Sequence, residues 1–140
     1  MGDERLFIDA ILTSFAPRIA DAAQFALVNR VLLVKGPTGI GIDISLGGFL
    51  FEQQMIERAT RAELAPGLFA RTVSAEDLVV MKAFAARPRD WDDITGIIVR
   101  QGAALDWAAV VERLAPLAAL KETPEIMAKL DAVRRDAERG

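Results

Sequence analysis

The sequence predicts an α+β protein in which a strand-bearing part, residues 1–73, is followed by a helical part, residues 74–140. Three observations carry the prediction. Ile40, Ile42, Ile44 and Leu46 alternate strictly with Gly41, Asp43 and Ser45, the two-residue period of a half-buried strand. The apolar run RVLLVK at 30–35 has strand length, and Gly36-Pro37-Thr38-Gly39 supplies a turn, so that 30–46 should be a hairpin. From residue 74 onward, cap signals recur in front of apolar stretches of helical period: Ser74 with Asp77 three residues on, Asp106, and Thr123-Pro124.

The elements follow in order. Leu6, Phe7, Ala10, Ile11 and Ser14 share one face of a helix over 4–15, with Asp3 as its cap. A polar link at Pro17 and Arg18 leads to a short helix from Asp21, then to the hairpin. Gly47-Gly48 breaks the second strand, and 49–59 reads as a helix. Residues 60–73 form two extended pieces around the turn Ala65-Pro66-Gly67. The helix LVVMKAFAA follows the Ser74 cap and stops at Arg87-Pro88, because proline disfavours helical geometry in the residue before it. Further helices are expected over 89–100, 107–120 and 124–138.

A chain of 140 residues fits one domain, and 52% hydrophobic against 26% charged residues excludes wholesale disorder. Zero cysteines and zero histidines exclude disulfides, thiolate nucleophiles, cysteine zinc sites and imidazole bases, so any chemistry must run on carboxylates, Lys, Arg and hydroxyls. The net charge of -3 argues against broad nucleic-acid binding, which draws on clustered cations. The start, Met1-Gly2-Asp3-Glu4-Arg5, lacks the basic region of a signal peptide, and no apolar run reaches the length of a membrane span. A cytoplasmic protein with no membrane association is expected.

Three places could carry chemistry. Asp43 is an acid in mid-strand flanked on its own face by Gly41 and Ser45, which leaves space for a ligand; a merely solvated face has the same pattern. Lys82 is the sole charge between Leu78 and Ala86, on a helix apolar nearly all round. Its ammonium either reaches water along its stem or points at a phosphate or carboxylate. In Arg87-Pro-Arg-Asp-Trp-Asp-Asp93, Asp90 and Asp93 border the stripe of Trp91, Ile94, Ile97 and Ile98, whereas Asp92 points away. An ion pair from Asp90 or Asp93 to Lys82 or Arg89 accounts for that placement.

The succession GIDISLG at 41–47, FEQQMIERA at 51–59 and SAEDLVVMKAFAARPRDWDDI at 74–94 resembles the nucleotidyltransferase superfamily, specifically the small bacterial proteins related to AbiEii-type abortive-infection toxins and the minimal nucleotidyltransferase antitoxins. The resemblance implies a small mixed sheet flanked by helices. It also implies transfer of a nucleoside monophosphate from a nucleoside triphosphate, with carboxylates holding Mg²⁺ ions. Asp43 matches the third of those carboxylates and would be the metal ligand and catalytic residue, while Lys82, Arg89, Asp90 and Asp93 match the Lys and Arg-Asp-x-x-Asp pattern that helps form or support the nucleotide site. The acidic pair that should precede Asp43 behind a Gly-Ser or Gly-Gly turn is not in the sequence, and Gly47-Gly48 comes after it. A late start, a natural loss, or completion by a partner chain would each explain this. The chain alone is therefore expected to bind Mg-nucleotide weakly or not at all, unless Glu52 or Asp90 completes the site. The alternative is a non-catalytic module that keeps the fold for a protein partner or for a second copy of itself.

Overall fold

The computed structural model describes residues 4–139, and its contacts divide the chain into two compact units, Met1–Glu52 and Gln53–Gly140. The fold is α+β. The expected cap Asp3 lies outside the described residues. Among them, no helix is long and apolar enough to cross a membrane.

The first unit contains α1 (Glu4–Leu12), β1 (Ala16–Pro17), α2 (Ala22–Asn29), β2 (Val31–Lys35) and β3 (Gly41–Ser45). The predicted hairpin is present: β2 and β3 pair antiparallel from Val31↔Ser45 to Lys35↔Gly41. Its tight turn closes through Gly36 N–H donating to the Ile40 carbonyl at 2.8 Å. Gly39 there has φ of 80°, a left-handed conformation that costs an L side chain about 1–2 kcal/mol. Alternation sorts the faces: Leu32 and Val34 are fully buried, Ile42 and Ile44 opposite them pack on the same core, and Ile8, Ala22 and Ala26 cover it from the two helices. The stretch expected as a polar link instead adds a short third strand. Ala16 and Pro17 pair with Lys35 and Val34, and Arg18 N–H donates to the Leu33 carbonyl at 3.0 Å.

Helix α3 (Leu50–Arg58) spans the division between the units. The second unit continues with β4 (Thr60–Ala65), β5 (Leu68–Thr72), α4 (Ala75–Ala85), α5 (Pro88–Gln101), a 3-10 turn Gly102–Ala104, α6 (Trp107–Leu120) and α7 (Glu125–Arg139). The described strands do not form the single mixed sheet that the resemblance implies. They form two separate sheets, β1-β2-β3 and β4-β5, and every pairing is antiparallel. The reason is connectivity: tight turns join β2 to β3 and β4 to β5, and a parallel pair needs a long crossover.

In the helical part, α4 packs on α5 and α6, and α7 packs on α5. Val79, Val80, Ala83, Ile94, Val110 and Leu114 are fully buried. Two of the predicted caps form, Ser74 Oγ accepting from Asp77 N–H and Asp106 Oδ1 from Ala109 N–H, both at 3.1 Å, whereas the Thr123 hydroxyl is buried without a hydrogen-bond partner among the described residues. Ala86 ends α4 at φ 57°, its N–H donating to the Lys82 carbonyl, and this sharp corner starts α5 two residues later. On α7, the Lys129 ammonium lies 4.5 Å from the Trp91 ring centre and the Arg134 guanidinium 4.6 Å from that of Trp107. Both contacts combine ring burial with cation–π attraction.

Candidate functional site

The corner between α4 and α5 gathers most of the residues singled out in the sequence. Lys82 comes from the last turn of α4 and Asp90 and Asp93 from the first turns of α5; Pro88 at the first helical position fixes where α5 begins. The Lys82 ammonium lies 2.6 Å from Asp93 Oδ2 and 3.6 Å from Asp90 Oδ1, so the lone lysine is paired as expected. Asp90 is buried, whereas the Asp93 side chain is half in water, so only one of the two acids faces the body of the unit. Asp90 accepts from the Arg87 backbone N–H at 3.1 Å and from its guanidinium at 2.7 and 3.1 Å. The Arg87 hydrogen bonds hold its carboxyl below the usual aspartate value of 3.8 against the opposing effect of burial.

These side chains line a cleft of about 670 Å³, formed by Lys82, Arg87, Pro88, Arg89, Asp90 and Asp93. Arg89 is exposed on its rim and enters no ion pair among the described residues. Lys82, Arg87 and Arg89 against Asp90 and Asp93 leave the cleft with one uncompensated positive charge, which suits it to an anion.

Asp43 belongs to the other unit. It is exposed on β3 as the alternation requires, but its carboxylate is 2.9 Å from the Arg18 guanidinium. The space beside it at Gly41 is taken: a Cβ built there would collide with Arg18 Nη1. The room that glycine provides thus admits an arginine of the same chain. Glu52, the candidate to complete a metal site, is likewise engaged, its Oε2 accepting from Gly48 N–H at 2.6 Å and Phe49 N–H at 2.9 Å as a cap of α3. Among the described residues no group of three or more acidic side chains is placed to hold a metal ion. A single carboxylate already facing a guanidinium does not fit Mg²⁺, which needs several oxygen ligands before it gives up its waters.

One cluster escaped the sequence reading. Asp77 is fully buried, and it accepts from Arg58 Nε at 3.0 Å and Nη2 at 2.9 Å and from Arg113 Nη1 at 2.9 Å. The single carboxylate thereby ties α3, α4 and α6. The spacing of Ser74 and Asp77 accounts for a helix cap, and it does so correctly for the serine, but it hides that the aspartate side chain turns inward. Arg58 and Arg113 lie 19 and 36 residues away in sequence, beyond any local pattern. With both its oxygens taken, Asp77 is a structural clasp.

No protein-family model and no curated protein sequence matches this chain.

Proposed function

We propose that this chain is a nucleotidyltransferase-superfamily domain of the AbiEii-like kind. It holds the phosphates of a nucleoside triphosphate in the α4–α5 cleft and does not transfer the nucleotide by itself. The observation that carries the reading is the cleft itself: about 670 Å³, within the range of small-molecule sites, with Lys82 and Arg87 anchored by buried Asp90 and Arg89 free to take a phosphate. A guanidinium presents a planar fork of donors that matches phosphate oxygens, and the ion pairs beneath hold the neighbouring cations in place before the ligand arrives.

Phosphoryl transfer depends on metal-held phosphates and an aligned acceptor, and Asp43, the one carboxylate at a matching position, is paired to Arg18. Titration calorimetry with ATP and with inorganic tripolyphosphate, each with and without Mg²⁺, tests the reading. We expect weak binding of both that needs no Mg²⁺ and is lost in Arg89→Ala, with no labelled nucleotide passed to cell extract. Absence of binding, or binding indifferent to Arg89→Ala, overturns it, and transfer abolished by Asp43→Asn would restore a full catalytic role.

A second reading, a module for protein association, rests on a different observation. The β4–β5 hairpin carries Leu64, Leu68 and Phe69 at 60%, 59% and 45% exposure.

A further inference from the structure

The two strands of the β4–β5 hairpin pack chiefly on each other, and each outer edge lacks a strand partner among the described residues. A lone two-stranded hairpin is at best marginal in water, and one with exposed leucines and a phenylalanine on it is a surface waiting to be covered. The two edges are not equivalent. On β5, Arg71 is committed to the carbonyls of Ile56 and Ala59 at 3.2 and 2.9 Å, which turns that strand's charge back toward the end of α3. On β4, Arg61 lies 4.0 Å from the Phe69 ring centre, and Glu63 gives one oxygen to Gly67 N–H at 2.8 Å, so each keeps polar valence to spare.

The order of charges on β4 is self-complementary. Thr60-Arg61-Ala62-Glu63-Leu64 read against itself in reverse, about a two-fold axis through Ala62, sets Arg61 opposite the partner's Glu63 and Glu63 opposite the partner's Arg61. It also sets Thr60 against the partner's Leu64. Charged edge strands usually repel their own copies; this one attracts its copy, twice, in one antiparallel register. We infer that β4 pairs with β4 of a second copy of this chain, joining two hairpins into a four-stranded antiparallel sheet. The inference gives the association reading above its partner.

Sedimentation equilibrium of the full chain, over a concentration series into the high micromolar range, measures the dimer constant. Arg61→Glu and Glu63→Arg should each weaken the dimer by at least about tenfold, because each puts two like-charge pairs directly across the new ladder. The double variant Arg61→Glu/Glu63→Arg should restore it, and the two single variants mixed in equal amounts should form a heterodimer, since each then meets its opposite. Circular dichroism melts of every variant report whether the fold is intact, and the restoration holds the inference to pairing even if a single substitution weakens its own hairpin. A monomeric wild-type chain overturns it. So does a dimer that neither reversal weakens or that the double swap fails to restore, and that dimer would leave association itself standing on another surface.

Discussion

Asp77 and Asp90 are the two buried acids of the second unit, each in the first turn of a helix and each held by arginine, yet they do different work. The guanidiniums on Asp77 come from two other helices, and their side chains are only 33% and 27% exposed. The guanidinium on Asp90 comes from three residues earlier and is 74% exposed. One carboxylate is therefore a knot between distant segments, with both of its oxygens engaged. The other organises a corner in which Arg87 still faces water while Lys82 is largely shielded.

The largest effect that separates them is on stability. Asp77→Ala strands Arg58 and Arg113 against each other and should cost about 3–5 kcal/mol in urea unfolding. Asp90→Ala should cost less, about 1–3 kcal/mol, because Lys82 keeps Asp93 and Arg87 returns to solvent. Equal losses for the two would remove the distinction drawn between them.

Acid titration sharpens it further. Asp90 ionises below its usual value of 3.8, chiefly through Arg87. Glu76 ionises below 4.5; burial pushes its carboxyl up, but its own and the Asp106 backbone N–H groups, Ser74 and Arg113 outweigh it. Folded carboxyls that resist protonation leave the unfolded chain to take up protons first, so this stability is complete above about pH 5 and drains away as pH falls through the lowered values. Thermal melts should decline below that point, and Asp90→Asn should remove part of the slope.

The corner itself allows a gain. Ala86 holds a left-handed conformation that glycine adopts freely, so Ala86→Gly should stabilise by up to about 1 kcal/mol without disturbing Asp77. Asp92, exposed on α5, is the control: Asp92→Asn should stay within about 0.5 kcal/mol of wild type.

What the sequence disclosed follows the range of each interaction. Alternation at 40–46 located the first hairpin and the exposure of Asp43, because a strand's period is local. Lys82 could be matched to Asp93 because α4 and α5 are separated by one proline-limited corner, so that few geometries are open to them. The partners of Asp43 and Asp77 were out of reach. Arg18 directly follows a two-residue strand too short to show a period, and Arg58 and Arg113 reach Asp77 through packing that no local spacing encodes. The second hairpin reads as two extended pieces around a turn, since the polar–apolar alternation of Arg61 to Leu64 marks a strand without saying what lies beneath it.

The placement of α7 has an optical consequence. The chain has two tryptophans and no tyrosine, and α7 sets a cation on each ring, Lys129 on Trp91 and Arg134 on Trp107. Ultraviolet emission is thus a built-in gauge of whether the last helix is docked. Excitation of the wild-type protein, with Lys129→Ala and Arg134→Ala to assign the two emitters, would follow the undocking of that helix apart from the melting of the rest, with no label attached.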